Sequence, residues 1–204
     1  MITIAREELE RVVVGVDPAV TSGEDSDETG IIVVGIGPHQ PETCRIERCS
    51  GHAYVLEDAT IARELRPTPD QWATRAVEAF DEWLADRVVA EGNQGGELVE
   101  QVLRTVRPGL PIKRVTARVG KRTRAEPIAA LYEQGRVHHV GSPMNFAILE
   151  DQLTTWTQSS GESPDRLDAL VWAISALGLA GMGAIPDIAP VGLGKKNEWD
   201  LGGL

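Results

Sequence analysis

Residues 11–17 read Arg-Val-Val-Val-Gly-Val-Asp and run directly into Pro18. Valine's branched Cβ favours extended backbone and proline cannot donate to a strand ladder, so the stretch predicts a buried strand that ends with a carboxylate at the sheet's rim. A polar, acidic segment follows over residues 20–29, carrying Glu24, Asp25, Asp27 and Glu28, and is expected to be a solvated loop. Residues 30–37 (GIIVVGIG) and 52–61 (HAYVLEDATI) then read as two further strands, joined by a connection that holds Cys44 and Cys49. Three such strands in succession predict an antiparallel meander.

The rest of the chain alternates. Thr68-Pro69-Asp70-Gln71 combines a capping threonine, a proline suited to the first helical position and a glutamine that completes a capping box. Trp72, Ala76, Ala79, Phe80, Trp83 and Leu84 then recur at three and four residues, giving one apolar stripe. Residues 87–91 (RVVAE) form a short strand that stops at Gly92, with a helix over about residues 97–106 and a fifth strand over residues 111–116 (PIKRVT). Helices over about residues 123–133, 145–156 and 164–181, with a short strand at residues 136–140, complete the pattern. From residue 182 glycine and proline rise and periodicity is lost, so residues 1–181 read as one domain and 182–204 as a flexible tail. A meander followed by strand–helix alternation predicts an α/β domain, a mixed sheet covered by helices on both faces.

At 204 residues, 42% apolar and 25% charged, the chain is long enough to bury a core and too apolar to be disordered. No run approaches the roughly 20 apolar residues of a membrane span, and MITIAREELE lacks a signal peptide's apolar centre, so a cytoplasmic protein without a membrane partner is expected. Two cysteines are too few for a disulfide framework, and no structural role is expected of them. A net charge of −11 argues against coating nucleic acid by bulk electrostatics. Between Arg107 and Arg124, however, lie seven basic residues and no acid: Arg107, Lys113, Arg114, Arg118, Lys121, Arg122 and Arg124. That stripe suits either a solvated face or a phosphate-bearing partner.

In α/β sheets functional groups gather where strands end. Asp17 and Glu91 each close an apolar strand, while Asp165 and Asp168, three apart at the start of the last helix, share a face beside its positive dipole end. Four gathered carboxylates repel one another unless a cation sits among them, and hard oxygen donors select Mg²⁺ or Mn²⁺ over zinc. Two such ions can clamp the attacking and leaving oxygens of a phosphodiester displacement. Taken singly, each acid has a plainer reading: Asp17 as a turn former before proline, Glu91 as a cap, Asp165 as a helix-start charge. Asp168, amid Leu167, Ala169, Leu170, Val171 and Trp172, needs a partner. His138 and His139 close a short strand and are expected to be structural, because hard ions do not favour imidazole.

VVVGVDPAVTSG, VVAEGNQGGELV, KRTRAEPIAALYEQGRVHHVG and SPDRLDALVWAISAL, in that order and spacing, resemble the C-terminal nuclease domain of phage terminase large subunits over roughly residues 11–180. The resemblance implies a ribonuclease H-like fold and a two-metal endonuclease that cuts concatemeric double-stranded viral DNA during packaging, with little sequence specificity. It implies metal-ligating roles for Asp17, Glu91 and Asp168, and an auxiliary ligand or proton-transfer role for Asp165. It places Lys121, Arg122 and Arg124 just ahead of a helix near the cluster, where with Arg118 and Lys113 they would hold the DNA backbone. Gly95 and Gly96 suit either close backbone approach at the rim or an ordinary turn. Implied partners are the portal protein, the small terminase subunit and a terminase ATPase domain, in the host cytoplasm. The chain departs from the large subunit in having only ten residues before its first strand and no ATP-binding loop, so an excised or stand-alone nuclease domain without ATP hydrolysis is expected. A Holliday-junction resolvase, a ribonuclease H-type enzyme and a non-catalytic portal or small-subunit docking domain are the alternatives.

Overall fold

The computed structural model describes residues 2–18, 28–47, 49–92, 96–157 and 163–179. Glu24, Asp25, Asp27, Gly95 and the tail over 182–204 lie outside them. The six strands are β1 (Arg11–Asp17), β2 (Gly30–Gly37), β3 (His52–Asp58), β4 (Arg87–Glu91), β5 (Ile112–Val115) and β6 (Val137–His139). They form one mixed sheet in the order β5-β4-β1-β2-β3-β6. β1, β2 and β3 make the expected antiparallel meander, while β4 joins β1, β5 joins β4 and β6 joins β3 in parallel. The helices are α1 (Pro69–Glu82), α2 (Gly96–Val106), α3 (Lys121–Glu133), α4 (Ala147–Thr155) and α5 (Asp165–Ala176).

Alternation along the strands divides the core. Val12, Val14 and Val16 of β1 pack with Ile31 and Val33 under α1 and α2. Val13 of β1 packs with Ile32, Val34 and Val89 under α3, α4 and α5. Both faces are therefore covered, and the central strands read as near-continuous apolar runs for that reason. The four valines of β1 are almost completely buried. At about 1.5–3 kcal/mol each, they outweigh the several kcal/mol needed to hold a partly dehydrated Asp17 at the strand's end.

Several boundaries shift for identifiable reasons. Thr68 and Gln71 form the predicted capping box, with Thr68 N donating to Gln71 Oε1 at 2.8 Å and Gln71 N to Thr68 Oγ1 at 3.3 Å. Trp72, Ala76, Ala79 and Phe80 are buried as predicted. Leu84 is not on their stripe: it follows the helix with φ +46° and is exposed. α3 begins at Lys121 rather than 123, so Lys121, Arg122 and Arg124 occupy its first turn instead of preceding it. Cations there oppose the helix dipole, and no acid marks the start. Glu28 is not in a solvated loop either, because Arg166 binds it.

α5 is fixed from three directions. Its N-cap is Pro164, which has no side chain to cap with; Gln152 Oε1 of α4 instead accepts the backbone N–H groups of Arg166 and Leu167, both at 3.1 Å. The buried Arg166 guanidinium donates twice to Glu28, each at 2.8 Å, and to Asp58 Oδ2 at 2.6 Å. On its underside the helix backbone rests on glycines: a Cβ at Gly15 would lie 2.2 Å from Ala169 O, and one at Gly30 2.1 Å from Asp165 O.

Gly15→Ala should therefore lower unfolding free energy by at least about 2–3 kcal/mol, because the atom it meets is backbone and not a movable side chain. Gly109→Ala, whose Cβ meets nothing within 4 Å, should leave urea unfolding almost unchanged. Equal midpoints for the two variants would show that α5 does not press on the sheet as described.

Candidate active site

Asp17 and Glu91 reach the same rim through strand parity. Val16 pairs with Ala90 across adjacent parallel strands, so the next residue of each strand stands at the same end. Val13 and Val89 face α5, and steps of two from them lead to Asp17 and Glu91 on that face. α5 crosses the same face with the backbone of Asp165 against Gly30, the partner of Asp17 in β2, and Asp168 lies close enough to raise the Asp17 carboxyl. Asp17, Asp165 and Asp168 are all buried.

Two cations from the first turn of α3 enter this group. Lys121 Nζ lies 2.6 Å from Asp168 Oδ2, an ion pair whose angle falls outside hydrogen-bond geometry. The same ammonium donates to Ser163 Oγ at 2.7 Å. Arg124 donates from Nε to Asp168 Oδ1 at 3.0 Å, and its Nη2 lies 2.8 Å from the same oxygen and 3.5 Å from Glu91 Oε2. Trp172 steadies the arrangement twice: its indole N–H donates to Glu91 Oε2 at 3.0 Å, and its ring lies 4.9 Å beneath the Arg124 guanidinium.

The protonation pattern follows. Burial pushes the Asp17 carboxyl well above the usual carboxylate range, and the charges of Asp168 and Glu91, together with a hydrogen bond to Glu91, push it further. Burial also raises Asp168, against the pull of Arg124 and Lys121. For Lys121 burial opposes the charged form, yet Asp168, Asp17 and Asp165 outweigh it and hold the ammonium above its ordinary value. Among the described residues, Asp17, Glu91 and Asp168 face Lys121 and Arg124 across a dehydrated rim, with Asp165 within electrostatic reach of Lys121. The donors are all hard oxygens, and Asp168 Oδ2 accepts no well-angled hydrogen bond among the described residues. Such a set fits a divalent cation of the Mg²⁺ type.

The other basic residues stand apart. Arg122 is exposed and paired with Glu126 at 3.5 Å. Arg118 is exposed on the segment between β5 and α3. Lys113 is half-buried in β5, where burial and the charge of Arg87 lower its pKa. Arg124, expected to hold the DNA backbone, is instead buried among the carboxylates. The sequence pattern does not mark Trp172 or Ser163; the signal for Trp172 is its place one helical turn after Asp168, on the same face.

The solved structure of Thermus thermophilus RuvC resembles the chain at 15% identity and a TM-score of 0.45, with 85% of this chain and 98% of that one covered. A comparison with curated proteins returned no match. The family described as terminase RNaseH-like domain matches residues 14–177. That span runs from β1 through α5 and contains every acidic and basic group gathered at the rim, and the chain belongs to this family.

Proposed function

We propose that the chain is a divalent-metal-dependent endonuclease that cuts double-stranded DNA with little sequence preference, as the nuclease of a viral genome-packaging terminase. The observation that carries the reading is the gathering of Asp17, Glu91 and Asp168 at one rim, close enough to raise one another's protonation, with Lys121 and Arg124 among them and Asp165 within electrostatic reach of Lys121. Mg²⁺ or Mn²⁺, as two ions held by these four residues, would supply Lewis-acid activation of the scissile phosphodiester and of the attacking water.

The chain's own residues divide the remaining work. Arg124 and Trp172 orient Glu91 and Asp168 and keep their oxygens toward the rim. Lys121, the most exposed member of the group, can exchange Asp168 for a phosphate oxygen when DNA arrives. Arg122 and Arg118 extend the positive edge outward, and Lys113 adds charge farther along β5. Phosphate contacts of this kind position a duplex without reading its sequence. The net charge of −11 removes long-range attraction, which suits a domain that receives DNA from a packaging ATPase, portal protein and small terminase subunit.

Purified protein should nick supercoiled plasmid with Mg²⁺ or Mn²⁺ and not with EDTA. Asp168→Asn and Asp17→Asn should each reduce the rate about 1,000-fold, the equivalent of roughly 4 kcal/mol of transition-state stabilisation. Wild-type rates in both variants would overturn the reading. Faster cutting of a four-way junction or an RNA·DNA hybrid would reassign the substrate, and no cleavage with any divalent ion would favour a docking role.

Lys121→Ala and Arg122→Ala should weaken DNA binding alike on unrelated sequences. Each should reduce the slope of log affinity against log salt by about one. An unchanged slope for both would remove them from the DNA contact.

A further inference from the structure

The connection from β2 to β3 leaves the sheet at the end away from Asp17, beyond Gly37, and returns at His52. It draws four side chains together: His39, Cys44, Cys49 and His52, whose donor atoms all lie within 4.8 Å of one another. Their spacing is His-x₄-Cys-x₄-Cys-x₂-His. His39 Nδ1 is 3.0 Å from Cys49 Sγ, and the His39 and His52 rings stand edge to face at 5.2 Å.

A second observation points to a missing ligand. His52 is fully buried, with Nδ1 2.6 Å from His138 Nε2. Its other ring nitrogen, Nε2, is buried without any hydrogen-bond partner among the described residues. Whichever tautomer His52 adopts, Nε2 is stranded, either as a lone pair or as an N–H, at a penalty of about 1–3 kcal/mol. A metal at Nε2 removes that penalty while Nδ1–H donates to His138, the outer arrangement that orients ligating imidazoles. The loop is also prepared for the position. Gly51 adopts φ +116°, and the Arg136 guanidinium donates to Gly51 O at 3.0 Å and to Ser50 Oγ at 3.2 Å.

We propose that His39, Cys44, Cys49 and His52 bind one Zn²⁺ ion. Two thiolates and two imidazoles form a soft tetrahedral set that selects zinc over Mg²⁺, with each thiol releasing its proton on binding. The site is structural. It lies at the opposite end of β2 from the acidic rim, and through His138 it clamps the β2–β3 connection to β6, an edge strand held to β3 along only three paired residues.

The test uses the whole chain, purified under reducing conditions in the presence of zinc and then freed of loose metal. Elemental analysis should find about one zinc per chain, falling below about one tenth in Cys44→Ser/Cys49→Ser. His39→Ala, a change at an exposed residue, should bind zinc at least about tenfold more weakly. Cobalt in place of zinc should give a thiolate-to-metal charge-transfer band that the double variant lacks. Asp17→Asn should keep its zinc, which separates this site from the proposed nuclease centre. Substoichiometric zinc in the wild type, equal zinc in the double variant, or a Cys44–Cys49 disulfide persisting under reducing conditions would each overturn the assignment.

Discussion

The approach of α5 to the sheet is the constraint on which the site depends. At Gly15 and Gly30 the helix backbone occupies the space that a Cβ would need, so at these two points the sheet's most central strands meet the helix backbone directly. A glycine within a strand costs about 0.5–1 kcal/mol in backbone freedom. The structure offsets this by bringing the first turn of α5 down to the ends of β1 and β4, where a side chain as short as aspartate can join Asp17 and Glu91. Arg166, tied to Glu28 and Asp58, fixes the helix along its length, so a one-residue slide would break three charged hydrogen bonds.

That placement creates an electrostatic problem which the fold resolves only in part. Burial and mutual repulsion work against Asp17 and Asp168, and Lys121 and Arg124 from α3 oppose them. Arg124 serves as a permanent internal counterion: it is buried, stacked on Trp172 and bridged between Asp168 and Glu91. Lys121 is only partly enclosed, with about a third of its side chain exposed. Burial and the charges of Asp168 and Glu91 shift Asp17 toward its protonated form, and a cation among these oxygens would oppose that shift. Under the proposed function, orientation of these hard oxygens by Arg124 and Trp172 would prepare them for a divalent cation.

Strand parity makes much of this legible in the amino-acid sequence. The valine run ending in Asp17, the RVVAE strand ending in Glu91 and the three-residue spacing of Asp165 and Asp168 each specify one rim once the strands are parallel. The inward turn of Arg124 is not legible there, since its partners lie 33 and 44 positions away and local pattern carries no such distance. The start of α3 is hidden because its first turn carries cations against the dipole and Pro127 interrupts its interior. The cysteines read as idle for a similar reason: no short Cys-x₂-Cys pair marks them, and only the fold brings His39 and His52 beside them.

The unfavourable start of α3 is itself informative under the proposed function. Gly120 offers no side-chain cap, no acid occupies the first turn, and Lys121, Arg122 and Arg124 stand where the unpaired N–H groups already make the helix end positive. An ordinary helix would place Asp or Glu there and gain about 0.3–1 kcal/mol for each. Arg124 recovers that loss through Asp168 and Glu91, but Arg122 has only an exposed partner one turn along. A helix end of this kind is at its most stable when an anion lies across it, and a DNA phosphate is such an anion. Under that function the two features would act together: the phosphate would satisfy the start of α3 while drawing Lys121 off Asp168, and the carboxylate so released would be free to take a cation.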